Sequence, residues 1–398
     1  MKIRKAYKFR IYPNQTQMKA LSKQFGIVRF VYNHFLDQRI TTYRETGKGL
    51  NYYDIARQLT ELKSQEETSW LKEGDSQAMQ QGLKDQERAF QNFFSKRSGY
   101  PKFKSRKGKQ SIRYPQRVKV NLGTKRTYLP KVGWIKTRFH QEIEGVVKNV
   151  TVSKTKSGKY FASFQIEMEK EEPEYKGKEN GIDFGIQTFV VLSDGQTYEN
   201  SRHLQKKEKQ LRRYQRKLSR RKQGSQRWQK QKQKVAILHE VVQNTRLDHH
   251  HKLSRALVDE HSLLAVEDLH IKGMVRNKRL AKHIQDASWG EFVRQLKYKG
   301  EWYGCHTQTI DRWYPSSKTC SECGYVMKEM PLNVRVWKCP HCQIEHNRDV
   351  NAAKNILKQT TVGATGSNAS GVQVRPEVQY IGTQAGTSKL ETPQLAVG

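Results

Sequence analysis

The pairs Cys320-x-x-Cys323 and Cys339-x-x-Cys342 constrain this chain more tightly than any other feature in it. Two thiols at that spacing can turn toward one ion, and two such pairs close the tetrahedral site that zinc prefers. Cys323-Gly324 and Cys339-Pro340 are typical neighbours of such knuckles. Residues 316–346 are therefore expected to double back into a zinc ribbon. Four protein ligands leave no open position, so one structural Zn²⁺ is expected there; a redox thiol pair is the competing reading. His341 and His346 are surplus to it. Cys305 follows aromatic residues and is expected to be a small packed hydrophobe. The start MKIRKAYKFRIYP alternates charged and apolar residues without the apolar stretch of a secretory signal. No run approaches the ~20 apolar residues of a membrane span. A cytoplasmic chain with free thiols is the expectation.

Around the ribbon the patterning alternates between helix and strand. Residues 3–12 read as a strand, broken at Tyr12-Pro13-Asn14. Leu21, Phe25, Val28, Val31 and Phe35 then form one helical face. After Gly47 and Gly49, Asn51 is a plausible cap for a second helix striped by Ile55, Leu59 and Leu62, and a third runs from about Ser76 to Phe94. Residues 98–170 are basic, aromatic and turn-rich, with two strands meeting at Lys156-Ser157-Gly158, which suggests a β-barrel. Glu171 to Asn180 reads as a polar linker, followed by a buried strand and a hairpin at Ser193-Asp194-Gly195.

A helix over 202–222 carries a thin seam of Leu204, Leu211, Tyr214 and Leu218. A second long helix returns through Leu238, Val241 and Val242 to Leu257. His249, His250 and His251 splay around it, which argues against a metal site there. A strand at 262–269, a helix at 288–304, a strand at 305–314 and a helix at 348–359 complete the pattern. The composition beyond Thr360 suggests a disordered tail over 361–398.

Charge then limits the partners. The chain has 74 Lys and Arg against 38 Asp and Glu, a net charge of +36. Self-repulsion on that scale opposes compaction unless a polyanion neutralises it. The cations run from end to end, which favours nucleic acid over a membrane surface. Arg212, Arg213, Arg216, Arg220 and Arg221, on a helix nearly without acids, are candidates for phosphate contact.

Three carboxylates are candidates for chemistry. Asp183 lies among apolar residues in GIDFGI, where a charge is costly without a partner or a task. Gly181 and Gly185 flank it and would admit a ligand or a backbone closely. Glu267 ends the apolar strand LLAVEDL, and Asp268 should face the other side. Asp349 opens the helix RDVNAAKNIL, where it is either a cap or a metal ligand. Strand Asp, hairpin, strand Glu, helix Asp is the order found in RNase H-like nucleases. Such a set holds two Mg²⁺ ions for in-line phosphodiester cleavage.

The combination GIDFGI, VEDL, YPSSKTCSECG and WKCPHCQIEHNRDVNAAKNI resembles the TnpB family, the transposon-encoded relatives of compact type V CRISPR effectors. KFRIYPNQTQ, RFVYNHFL, YPKFKSRK and SWGEFVRQLKYKGEWYG resemble it as well, so the likeness spans nearly the whole chain. It implies a multidomain α/β protein: an RNase H-like (RuvC) nuclease core over 177–315 and 347–360, interrupted by the zinc ribbon at 316–346. It also implies a β-barrel wedge domain over 1–15 and 97–176 and a helical recognition lobe over 16–96. Asp183, Glu267 and Asp349 would fill the catalytic positions and the four cysteines the zinc positions.

The partners implied are a guide RNA derived from the transposon end and target double-stranded DNA, cut beside a short adjacent motif near which Tyr52 and Gln80 would lie. Ser76 stands where a basic residue is expected. Three other readings compete: an RNase H-fold transposase working without RNA, a nuclease-inactive RNA-guided repressor, and a zinc-ribbon RNA-binding protein.

Overall fold

The computed structural model describes residues 1–331 and 333–365. The chain begins with β1 (Lys2–Tyr12), then α1 (Gln15–Thr46), α2 (Tyr52–Ser64) and α3 (Ser76–Phe94). Asn14 and Asn51 cap α1 and α2 through reciprocal capping boxes, and Asp75 caps α3. Six strands follow: β2 (Gln110–Tyr114), β3 (Lys119–Asn121), β4 (Arg126–Leu129), β5 (Gly133–Arg138), β6 (Val146–Lys154) and β7 (Tyr160–Glu169). They join β1 in an antiparallel sheet ordered β2-β6-β7-β1-β5-β4-β3. Among the described residues its two outer strands, β2 and β3, share no pairing.

Alternation along the central strands sends Tyr7, Phe9 and Ile11 of β1 and Ala162, Phe164 and Ile166 of β7 to one side. There they meet Phe25, Val28 and Phe35 of α1, Ile55 of α2 and Leu83 of α3 in one continuous core. The helices and the sheet therefore share their hydrophobic stabilisation. The short strands β2 to β5 carry few apolar residues each, which is why the sequence patterning shows only β6 and β7 in this region.

The second half holds β8 (Lys178–Phe184), β9 (Thr188–Leu192), β10 (Thr197–Glu199), α4 (His203–Ser219), α5 (Gln226–Glu260), β11 (His261–Glu267), α6 (Ile271–Met274), α7 (Ala281–Ala287), α8 (Trp289–Tyr303) and β12 (His306–Ile310). The ribbon contributes β13 (Val336–Lys338) and β14 (Glu345–Asn347), and α9 (Arg348–Thr365) ends the described chain. Five strands form a sheet ordered β10-β9-β8-β11-β12. β8, β9 and β10 are antiparallel, whereas β11 and β12 run parallel to β8.

Several expectations shift here. The linker ends early, because β8 begins at Lys178, and Asn180 is buried between Ser193, Asp194 and His261. A turn at 185–187 precedes the one at 193–195, so the first buried strand itself closes a hairpin. Val241 is 42% exposed and lies off the α5 seam. The last helix runs to Thr365, five residues into the expected tail; 366–398 lie outside the described residues. Among the described residues no helix is long and apolar enough to cross a membrane.

The two faces of the five-stranded sheet are dressed differently. Ile182, Leu264 and Val266 pack against Leu257 of α5 and Phe292 of α8. On the opposite face Ala265 and Ile310 meet Ile356 of α9. Gly181 makes that second contact possible, since a Cβ there would lie 2.0 Å from the Ala353 carbonyl oxygen. Gly181→Ala should therefore cost about 3 kcal/mol, as an overpacked core does, because a helix backbone has to move. Denaturant unfolding of the variant checks this; an unchanged midpoint would mean that α9 has room to shift away from β8.

Candidate active site and metal centre

The pleat decides where the acids go. In β8, Ile182 faces α5 and α8, so Gly181 and Asp183 face α9. In β11, Val266 faces α8, so Ala265 and Glu267 face α9. Val266 is paired with Ile182, which sets Asp183 and Glu267 side by side at the next level of adjacent parallel strands, about 5 Å apart along the backbone. Asp349 lies one helical turn before Ala353, and Asp183 two strand residues after Gly181, which Ala353 touches. One turn is about 5.4 Å. Two strand residues span about 6.6 Å. The offsets match, and the three carboxylates lie near the carboxyl ends of the parallel strands, close enough for the charges of Glu267 and Asp349 to act on Asp183.

Electrostatics agree with that placement. Burial, followed by the charges of Glu267 and Asp349, pushes the Asp183 carboxyl up to about 7; Arg348 and the Phe184 N–H pull the other way. Glu267 is also raised by burial, against a hydrogen bond from the Ser316 hydroxyl. Asp349 is not the helix cap. Asn347 takes that role, its side-chain oxygen accepting from the N–H groups of Asp349 (3.0 Å) and Val350 (3.2 Å). The Asp349 carboxylate is left free to accept from Arg335 Nη1 at 3.2 and 3.3 Å. Asp268 points away from this cluster and pairs with Arg312. Ser316, Arg335 and Asn347 were not singled out from the sequence, because only the fold brings them to the acids.

The four cysteine sulfurs all lie within 4.8 Å of one another, the one such set of potential metal ligands among the described residues. Cys320 to Cys342 and Cys323 to Cys339 are each 3.6 Å, far beyond a disulfide and near the ~3.8 Å that tetrahedral Zn–S bonds of ~2.3 Å would impose. The two knuckles repeat one backbone pattern: Cys320 N–H to Tyr325 O and Gly324 N–H to Cys320 O, then Cys339 N–H to Ile344 O and Gln343 N–H to Cys339 O. Both Gly324 (φ +77°) and Gln343 (φ +63°) are left-handed, so the glycine suits the turn while Gln343 bears the strain. Burial works against it, but the Cys342 and His341 N–H groups hold Cys339 down to about 6, favouring thiolate. The cluster is able to hold a zinc ion. His346, surplus in the sequence, sits with Nε2 3.0 Å from Cys320 Sγ under Trp337.

The ribbon is bolted to α9. Asn351 donates to Thr319 O (2.7 Å) and accepts from Ser321 N–H (2.8 Å), and Asn355 donates to Ser316 O (2.8 Å). The cysteine cluster and the acidic residues thus share a frame. Cys305 is buried and pushed up to about 12 by that burial, and His250 is driven down to about 4 where it stacks on Phe189. Neither joins a metal cluster.

Elsewhere, Arg212, Arg213, Arg216 and Arg220 are exposed on and just after α4, and Arg221 is half-buried against the Arg227 carbonyl. α4 is fixed by Gln231 donating to Tyr214 O and by Asp286 accepting from Leu204 N–H. Tyr52 is partly buried beneath Lys84, one turn from the exposed Gln80. Those two share an edge of the helical region, remote in sequence from the acids.

Family models match three stretches of the chain: one described as "Probable transposase" at residues 163–278, a "Cas12f1-like, TNB domain" at 289–356 and a "Helix-turn-helix domain" at 1–48. The last of these covers a strand and one long helix here. "Putative RNA-guided DNA endonuclease InsQ" of Escherichia coli (strain K12) is 38% identical over 90% of this chain and 92% of its own length. A "Putative RNA-guided DNA endonuclease" of Streptomyces pristinaespiralis is 36% identical over 100% and 98%. "TnpB-like protein L79" of Acanthamoeba polyphaga mimivirus is 31% identical over 30% of this chain and 24% of that one. The fold is similar to a chain in a Cas12f1–sgRNA–target DNA complex, with a TM-score of 0.55 at 15% identity over 89% of this chain and 98% of that one. End-to-end likeness to two relatives at more than a third identity is decisive: the chain belongs to the TnpB family.

Proposed function

We propose that this protein is an RNA-guided DNA endonuclease whose catalytic residues are Asp183, Glu267 and Asp349. The observation that carries the proposal is the convergence of those carboxylates on the α9 face, at the strand ends where open sheets bind ligands. The strand order, with three antiparallel strands and two parallel ones, supports an RNase H-like (RuvC) core over 177–315 and 347–360. The seven-stranded sheet would be the wedge (1–15 and 97–176), α1 to α3 the recognition lobe (16–96), and 316–346 the zinc ribbon.

The donor set fits hard divalent ions: three oxygen-only ligands whose mutual repulsion an ion would relieve. Two Mg²⁺ bound there would help activate a water and offset charge on the leaving 3′ oxygen. The chain's own residues set the stage for this. Ser316 fixes the rotamer of Glu267, Asn347 caps α9 so that Asp349 need not, and Arg335 holds Asp349 at the rim. Four thiolates would hold one structural Zn²⁺. The +36 charge suits a guide RNA derived from the transposon end and a target duplex. Base pairing would carry sequence there, while the exposed Arg212, Arg213, Arg216 and Arg220, with the half-buried Arg221, grip phosphates. Tyr52 and Gln80 would lie beside the motif adjacent to the target.

The test is to purify the protein with its co-expressed RNA, sequence that RNA, and offer DNA matching its guide segment. RNA-dependent, Mg²⁺-dependent cutting is expected. Cutting that ignores the RNA, or strand joining in its absence, would favour the transposase reading that one family description carries. RNA-dependent binding without cutting would favour a repressor. Ser316→Ala should lower the cleavage rate about 10- to 100-fold, the usual loss when a ligand's supporting hydrogen bond is removed. A full-rate Ser316→Ala protein in single-turnover assays would show that Glu267 needs no such support.

A further inference from the structure

We propose that Trp313 is a stacking platform for an unpaired nucleobase flanking the scissile phosphate, an inference that rests on the endonuclease reading above. The chain has seven tryptophans. Six have a ring or cation against the indole: Trp70 on Phe30, Trp134 on Tyr128, Trp228 under Lys232, Trp289 on Phe184, Trp302 on Tyr298 and Trp337 on His346. Trp313 has none among the described residues and is 85% exposed. So large an apolar face in water forfeits burial free energy that a flat ligand would recover.

The exposure is not that of a loose loop. Trp313 N–H donates to Asp311 Oδ1 at 2.6 Å. On one side Arg312 Nε donates to the Asp268 carbonyl at 3.1 Å and its guanidinium pairs with the Asp268 carboxylate, beside Glu267. On the other side Tyr314 packs against Ala265 and Ile310, and the Ser316 hydroxyl donates to Glu267 itself. The indole is held up from a segment tied at one end to Asp268 and at the other to Glu267 of the acidic cluster. Ser316 lies three positions further along the chain, a reach of at most about 11 Å. Such an arrangement suits a base, because every base has a π-face and a stack leaves its edges free. A duplex hides those faces, so the occupant is a base of an unpaired DNA strand, with its phosphate lying toward Asp183 and Glu267.

The experiment uses the RNA-loaded full-length complex. Cut positions are first mapped on target DNA with the wild-type protein. 2-Aminopurine is then placed at bases flanking the cut, and its fluorescence is read on the non-cleaving Asp183→Ala complex and on the same complex carrying Trp313→Ala or Trp313→Phe. Quenching at one flanking position, lost with Trp313→Ala and retained with Trp313→Phe, is the expected result. In the otherwise wild-type protein Trp313→Ala should weaken cleavage about 5- to 150-fold at limiting substrate, the range of one lost stack, with Trp313→Phe rescuing most of it. Guide-dependent affinity for the whole target should fall by no more than that factor, since guide pairing is untouched. Quenching that is indifferent to residue 313, in a protein that cuts normally, would overturn this inference and leave the nuclease assignment standing. A wild-type complex that cuts no DNA would remove both. The alanine variant spares the core, since the indole is almost wholly in solvent.

Discussion

Asp183→Ala is expected to lower DNA cleavage by at least about 10³-fold while guide RNA and target DNA remain bound. An ion held by these carboxylates supplies several kcal/mol of charge stabilisation, and each 1.36 kcal/mol is tenfold in rate. Binding survives because one carboxylate among so many cations barely alters the +36 surface. Single-turnover cleavage beside a gel-shift titration measures both, and a variant that cuts at the parent's rate would end the catalytic assignment.

The same residue predicts a pH signature. Its carboxyl sits at about 7 in the fold, raised by burial and then by Glu267 and Asp349, against an ordinary 3.8. Divalent ions must displace that proton, so their affinity should be complete above pH 7 and fall as the pH drops below it. For stability the sign is the opposite of a salt-bridged acid. Between pH 3.8 and about 7 the folded state holds more protons than the unfolded one, so folding weakens as pH rises through that window. Without added Mg²⁺, Asp183→Asn should melt above the parent at pH 8, and the gap should close near pH 4. Parallel melting curves at pH 8 would mean that the carboxyl is better solvated than its setting suggests.

The second large effect is expected from Cys339→Ser. The ribbon's own core is thin: Cys320, Trp337 and Cys339 are its buried members, with Met327, Met330 and Val334 against them. Metal binding must therefore supply most of its folding free energy, about 10–16 kcal/mol for structural zinc in small peptides. Loss of one thiolate should release zinc, open residues 316–347 to protease, and also reduce cleavage at least tenfold. The last effect follows from the frame: Asn351 and Asn355 tie α9 to the ribbon, and Arg335 reaches from the ribbon to Asp349. Elemental analysis, limited proteolysis and cleavage rate check the three parts. A zinc-free variant that resists protease as the parent does would show that the ribbon stands without its ion.

Local chemistry explains what could be read early. The knuckles announce themselves because their cysteine spacing and Gly324 are confined to a few residues. Asn51 was legible as the cap of α2, and the apolar faces of α1 and α2 repeat at helical period. Asp183 stood out because a carboxylate among Ile182, Phe184 and Gly185 is anomalous in its own strand. β2 to β5 stayed hidden because three- to six-residue strands with one or two apolar positions carry almost no period. α6 and α7 were missed for the same reason.

The linear chain by itself determined the cysteine knuckles, the presence of the long helices, the excess of cations and the identity of three suspect acids. Whether Asp349 was a cap or a ligand stayed open, because both roles put an acid in a first helical turn. Only the tertiary structure removed the cap role, by supplying Asn347 as the cap and turning the Asp349 carboxylate out toward Arg335. The partners of Glu267 and the isolation of Trp313 were likewise settled by strand pairing and helix docking. Such contacts join residues tens to hundreds of positions apart, and side-chain patterning within one element carries no information about which distant element will face it.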